Sequence, residues 1–187
     1  MMIDDAEFIR GKVPMTKQEI RVLTIAKAHL QSSDVIVDVG AGTGSLSIEA
    51  ARQCRKVFAI ERNAEAIELI KLNSEKFGVE NIEIIHAEAP RGFEKIERLD
   101  AALIGGSGGL LQPILDTIDT RLAIGGRIVL NCITMQTLTS SLEWFRAREN
   151  YACETIQVQI NRLERIGNFD MLKALNSIYI VNANKKF

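Results

Sequence analysis

The chain has little of what makes a function easy to read. Its three cysteines, Cys54, Cys132 and Cys153, are scattered and show no Cys-x-x-Cys spacing. An odd, unpatterned set of thiols argues against a disulfide framework and a zinc site, and fits a reducing compartment. Positive charge is not in excess: 23 Lys and Arg stand against 24 Asp and Glu, for a net charge of −1. No nucleic-acid partner is expected without a basic field, and an anionic substrate has to be met by local cations. No apolar run reaches the ~18–20 residues of a membrane span, so no membrane partner is expected either. The N-terminal Met1-Met2-Ile3-Asp4-Asp5 is acidic and lacks the apolar region of a signal peptide. The expected location is therefore cytoplasmic. Repeats, low-complexity tracts and Pro/Gly-rich linkers are missing too, which leaves no place to divide the chain.

What is present fits one α/β domain over residues 1–187, with 47% hydrophobic and 25% charged residues. Residues 1–15 read as an irregular lead-in broken by Gly11 and Pro14. Thr16-Lys17-Gln18-Glu19 fits a capping box, followed by Ile20, Leu23, Ala26 and Leu30 at helical spacing. Apolar runs predict strands over 35–39, 57–60, 82–86, 101–104 and 127–132. Helices are expected over 45–54, from an Asn63 cap to about Phe77, over 110–122 and over 136–148. Gly78 should close the second of these. In the C-terminal segment, 151–187, two strands at 155–160 and 177–181 are expected, joined by a loop near Gly167. Such alternation predicts a Rossmann-like, mostly parallel seven-stranded sheet with helices on both faces and an antiparallel C-terminal strand pair.

The segment Val35-Ile36-Val37-Asp38-Val39-Gly40-Ala41-Gly42-Thr43-Gly44 runs a strand into three alternating glycines. A turn of this kind at a helix start cradles a nucleoside or phosphate, because a Cβ would hold the ligand away. A dinucleotide fingerprint wants its third glycine at Ser45. Gly-x-Gly-x-Gly is more typical of enzymes that use S-adenosyl-L-methionine (AdoMet), and an NAD-dependent oxidoreductase is the rival reading. Glu61 ends the next apolar run, where a carboxylate can grip ribose hydroxyls. Ala87-Glu88-Ala89-Pro90 ends the third strand. There Glu88 would accept from an adenine amine and Ala89 would offer its N–H; the alternative is an ordinary strand-end turn with Pro90 at the start of a short helix.

A second cluster, Gly105-Gly106-Ser107-Gly108-Gly109, follows the fourth strand. Ligands of open parallel sheets sit beyond that edge. Four glycines in five residues clear space there for a large, flat substrate. The Asn-Pro-Pro-aromatic motif of amine-directed methyltransferases is not there, which argues against methylation of an exocyclic base amine.

Taken together with Arg10-Gly11-Lys12-Val13-Pro14-Met15-Thr16-Lys17, these motifs resemble the stand-alone cobalt-precorrin-6B C-15 methyltransferases (decarboxylating) of cobalamin biosynthesis. The resemblance covers nearly the whole chain. It implies a class I AdoMet-dependent methyltransferase that methylates carbon 15 of an acid-decorated tetrapyrrole. It also implies release of carbon dioxide from the ring C acetate, S-adenosyl-L-homocysteine as product, and a homotetramer. Matched to the family's motifs, Thr16, Gly40, Ala41, Gly42, Thr43, Gly44, Glu61 and Ala89 are the implied cofactor contacts. Glu61 stands where Asp is common, and Ala41 where Cys often is.

The macrocycle itself offers the nucleophilic carbon and the electron sink for decarboxylation. The protein's part is then mainly proximity and orientation, and neither a catalytic triad nor a metal is expected. Cations should line the cleft for the substrate carboxylates, with Arg10, Lys12, Arg91, Arg162 and Arg165 as candidates. His86 ends a strand on the functional edge and is a lesser candidate for a proton shuttle; His29 reads as structural. Ser107 lacks evident His and Asp partners. Rival activities within the same fold class are methylation of tRNA or of protein isoaspartyl groups.

Overall fold

In the computed structural model, which describes residues 2–187, the predicted alternation becomes one central sheet. The lead-in ends at α1 (Gln18–Ala28). Then follow β1 (Val35–Val39), α2 (Ser45–Ala51), β2 (Lys56–Glu61), α3 (Ala64–Lys76), β3 (Ile82–His86) and β4 (Leu99–Ile104). The chain continues through α4 (Leu111–Asp119), β5 (Leu122–Cys132) and α5 (Met135–Arg146). It closes with β6 (Tyr151–Val158), β7 (Asn161–Ile166), β8 (Phe169–Ala174) and β9 (Ile178–Lys185).

Seven strands lie in the order β3-β2-β1-β4-β5-β9-β6. The first five are parallel, and β9 runs antiparallel to both β5 and β6. β1 and β4 are neighbours from which the chain moves outward in opposite directions, so a crevice opens beyond their carboxyl ends. Helices cover both faces, which is why the central strands read as continuous apolar runs. Ile36, Val37, Ala101, Ala102, Leu103, Ile128, Val129 and Leu130 are all fully buried. Each large aliphatic among them stabilises the fold by roughly 1.5–3 kcal/mol.

Polar groups anchor the lead-in. The buried Arg21 guanidinium donates to Asp5 Oδ1 at 2.7 Å, to the Thr16 carbonyl at 2.8 Å and to the Ile3 carbonyl. Buried Asn73 on α3 accepts from the Ile9 N–H at 2.8 Å and donates to the carbonyls of Ile9 and Thr43. One side chain thus joins lead-in, α3 and the glycine loop.

Several expectations are borne out locally, and several are corrected. Asn63 caps α3, accepting from Glu65 N–H at 2.8 Å and Ala66 N–H at 3.4 Å. The capping box at Thr16 does not form. α1 begins at Gln18, with the Arg21 N–H bonded to the Lys17 carbonyl, so the cap position falls on Lys17, whose side chain makes no cap bond, and Glu19 pairs with Arg162 instead. Pro90 does not open a helix: Ala89–Pro90 is cis, and one 3-10 turn follows at Phe93–Lys95. The two expected C-terminal strands do pair, with Thr155 opposite Val181. The loop between them is instead a hairpin, β7–β8, turning at Gly167 with φ +62°. All twelve residues of that hairpin are exposed, so no buried face imposes a readable alternation.

Candidate active site

The parallel strands that line the site end at the same edge. β1 delivers Gly40-Ala41-Gly42-Thr43, β2 delivers Glu61, the turn after β3 carries Ala89, and β4 delivers Gly105–Gly108. The lead-in from Val13 to Lys17 forms the opposite wall. Between them lies a cavity of about 440 Å³, a size usual for a small-molecule site.

The two glycine clusters touch. A Cβ on Gly40 would stand 2.5 Å from the Gly106 carbonyl oxygen, and φ there is +70°. A side chain at Gly40 would therefore push the cradle off the ledge as well as strain the turn. Gly42, at φ +57°, faces the lead-in instead: its Cβ would lie 3.2 Å from the Pro14 carbonyl oxygen.

Glu61 is held in one orientation by backbone donors. Its Oε2 accepts from Gly42 N–H at 2.9 Å; its Oε1 accepts from Arg62 and Asn63 N–H, each at 2.8 Å. A carboxylate has about four acceptor sites, so capacity remains for a ligand hydroxyl. Asp38, fully buried on β1, is pushed up to about 6 by desolvation, against the lowering effect of the Ser47 hydroxyl that donates to it at 2.5 Å. Asp38 Oδ1 and Thr43 Oγ1 are buried without a partner in the protein. Thr43 lines the cavity and Asp38 does not, so the unpartnered Thr43 hydroxyl is the orphaned group that a polar ligand would meet there. This donor and acceptor set, with the glycine cradle, fits AdoMet.

Of the residues predicted to hold the cofactor, Thr16, Gly40, Ala41, Gly42, Thr43, Glu61 and Ala89 line this one cavity. Gly44 does not. It caps α2 at φ +79°, and a Cβ there would meet Ile70 at 3.2 Å. Ser107 lines the ledge. The five basic candidates are not among the lining residues. Arg162 pairs with Glu19, and Arg165 bonds the Gly167 carbonyl on the hairpin. Lys17 and Arg62 are the cations that line the cavity among the described residues. Arg62 was legible only as the residue after Glu61 at a strand end. His86 contacts the Arg62 carbonyl at 3.0 Å through Nε2 and lies outside the cavity. His29 ends α1 in a left-handed conformation at φ 45°. No group of three or more potential metal ligands occurs among the described residues.

This site geometry has close relatives. A family model for the precorrin methyltransferase domain matches residues 7–185. The chain is 39% identical to the probable cobalt-precorrin-6B C(15)-methyltransferase (decarboxylating) of Sulfolobus acidocaldarius, covering 98% of this chain and 97% of that one. Among solved structures, it matches a precorrin-6y C5,15-methyltransferase of Geobacter metallireducens with a TM-score of 0.91 and 38% identity, covering 98% and 97% of the two chains. A precorrin-8W decarboxylase of Methanobacterium thermoautotrophicum matches with a TM-score of 0.92 and 35% identity, covering 97% and 98%. The sheet order and the switch-point cradle define a class I methyltransferase. Within that class, the chain belongs to the precorrin methyltransferase family.

Proposed function

We propose that the protein methylates carbon 15 of a cobalt-precorrin and releases carbon dioxide from its ring C acetate, converting cobalt-precorrin-6B to cobalt-precorrin-7. The observation that carries this reading is the side-chain-free ledge of Gly105, Gly106 and Gly108 opening directly onto the cofactor cradle. Ile133 lines the cavity on the β5 side and is 72% exposed. An apolar surface next to a bare backbone ledge suits the face of a large conjugated ring.

The residues divide the work as follows. Glu61 would accept from the ribose hydroxyls, held to that task by its three backbone bonds. Gly40–Thr43, with Thr16 across the cavity, would hold the amino-acid end. The N–H of Ala89 and the carboxylate of Glu88 would read the adenine. Bound AdoMet supplies an electrophilic sulfonium methyl. The cradle would hold the cofactor and the ledge the ring beside it, which would lower the barrier by orientation rather than by acid–base chemistry. No side chain is assigned a catalytic role.

The same reading has the protein acting in the cytoplasm as a single-domain subunit of a homo-oligomer, a tetramer by family resemblance. Support for association comes from the hairpin, where Leu163, Ile166, Phe169, Met171 and Leu172 are each more than half exposed. Such a patch costs free energy unless it is covered. No helix among the described residues is long and apolar enough to cross a membrane.

Incubation with AdoMet and cobalt-precorrin-6B, followed by mass spectrometry, tests the reaction. The expected product has gained one methyl group and lost carbon dioxide. Methyl gain alone would remove the decarboxylating half, and methylation of tRNA or isoaspartyl peptides in its place would overturn the substrate.

A further inference from the structure

Arg62 opens the turn after β2, and Glu88 lies in the turn after β3. The two strands are parallel neighbours with Glu61 opposite His86, so both turns emerge side by side at the sheet edge. The Arg62 guanidinium donates to Glu88 Oε1 at 2.6 Å. This pair also reaches the ledge. A Cβ on Gly108 would stand 3.1 Å from Arg62 Nη1 and 3.7 Å from Glu88 Oε1. The missing side chain at Gly108 leaves the guanidinium uncovered where ledge and cradle meet. Lys17, the other cation of the cavity, lies on the lead-in wall, 3.9 Å from Asp5.

Exposure decides how firmly Arg62 is held. Its side chain is 61% exposed and that of Glu88 is 42% exposed. Water screens such a pair, and two long side chains lose rotamer freedom to keep it, so its net stabilisation is slight. A pair placed at the mouth of a cavity and this weakly held is easily exchanged for a better one. Guanidinium offers donors in a planar fork that matches a carboxylate with two bonds, and Glu88 takes only one of its nitrogens.

We propose that Arg62 is the residue that receives a carboxylate of the tetrapyrrole, and that Glu88 is its placeholder in the free protein. The proposal rests on the methyltransferase reading of the cavity. When a substrate carboxylate takes the guanidinium, Glu88 is released towards the nucleoside side. Tetrapyrrole and cofactor then strengthen each other's binding, as reciprocity between two coupled sites requires.

Binding to the acid-decorated porphyrin uroporphyrin, followed by fluorescence on the full chain saturated with S-adenosyl-L-homocysteine, isolates this step from turnover. Arg62→Gln is expected to weaken porphyrin binding roughly tenfold, the loss of one charge-assisted bond. AdoMet affinity measured without porphyrin should not fall, since the substitution itself frees Glu88 for the nucleoside side. Arg62→Lys should recover part of the loss, since charge remains and the fork does not. Thermal unfolding of each variant separates a binding defect from a folding defect. Unchanged porphyrin affinity in a folded Arg62→Gln protein overturns the proposal. So does weaker AdoMet binding with porphyrin binding intact, which would make Arg62 a prop for Glu88. Failure of the wild-type chain to bind uroporphyrin overturns it as well. The proposed reaction fails separately, if the wild-type chain binds uroporphyrin through Arg62 and leaves cobalt-precorrin-6B unmethylated.

Discussion

β1 and β7 are strands of nearly equal length with opposite surroundings. Four of the five residues of β1 are buried, while all six of β7 are exposed. β1 lies between layers of helices and gains its stability from burial on both faces. β7 pairs only with β8 and holds Leu163 at 71% exposure, as β8 holds Leu172 at 73%. The contrast separates two tasks. The buried strands bring cradle and ledge into contact, whereas the hairpin presents a surface that a neighbouring subunit would cover. The proposed chemistry is built on the first region and the proposed association on the second.

Breaking the buried region at its most polar point should have the largest effect. Arg21 has no exposed side-chain surface and ties α1 to Asp5, Ile3 and Thr16. Arg21→Ala leaves Glu49, 1% exposed and 4.0 Å from Arg21 Nε, without that buried cation. The expected cost is about 3–5 kcal/mol, read from urea unfolding. A loss under about 1 kcal/mol would mean that the lead-in is anchored elsewhere.

Asp38 sharpens the same region by pH. Its carboxyl titrates near 3.8 when unconstrained and at about 6 in the fold, chiefly through desolvation. The folded state therefore keeps the proton longer than the unfolded state. Stability from this group is full below about pH 4, declines between pH 4 and 6, and stays lower above. Asp38→Asn should remove that decline and stabilise the protein at pH 7.5 by roughly 3 kcal/mol relative to its effect at pH 4. Denaturant curves of both proteins at the two pH values give the comparison. A difference independent of pH would sink the idea.

The smallest effect on subunit stability is expected in the hairpin. Leu163→Glu combined with Phe169→Glu should change subunit unfolding by no more than about 0.5 kcal/mol per site. The same pair should dissociate the proposed oligomer in sedimentation or light scattering. An oligomer that survives both charges would place the subunit contact elsewhere.

Legibility in the sequence followed burial. The runs Val35–Val39 and Val57–Ile60 were readable because a strand covered on both faces is apolar at nearly every position, Asp38 being the exception. Asn63 was readable because a cap is a local bond between a side chain and the next N–H groups. Thr16 was misread as a cap, since the helix starts one residue later, at Gln18 after Lys17, and nothing in the local motif fixes that start. β7 and β8 escaped notice because no solvent-free face gave them a period. At the site, the cradle residues were found by glycine spacing and a strand-end carboxylate. The cations were misplaced, because charge in a sequence has no direction: Arg162 turns to Glu19, and Arg62 turns to the cavity.

By itself the sequence determined the parallel α/β order, the cradle at Gly40–Thr43 and the carboxylate at Glu61. Those depend on local φ/ψ demands and on the period of burial, which neighbouring residues carry among themselves. Only the tertiary structure decided that Gly40 packs on Gly106, that Arg62 reaches Glu88 beside Gly108, and that β7–β8 stands in solvent. Those contacts join residues far apart in the chain, and it is the parallel pairing of β1 with β4 at the switch point that sets the distance between cradle and ledge.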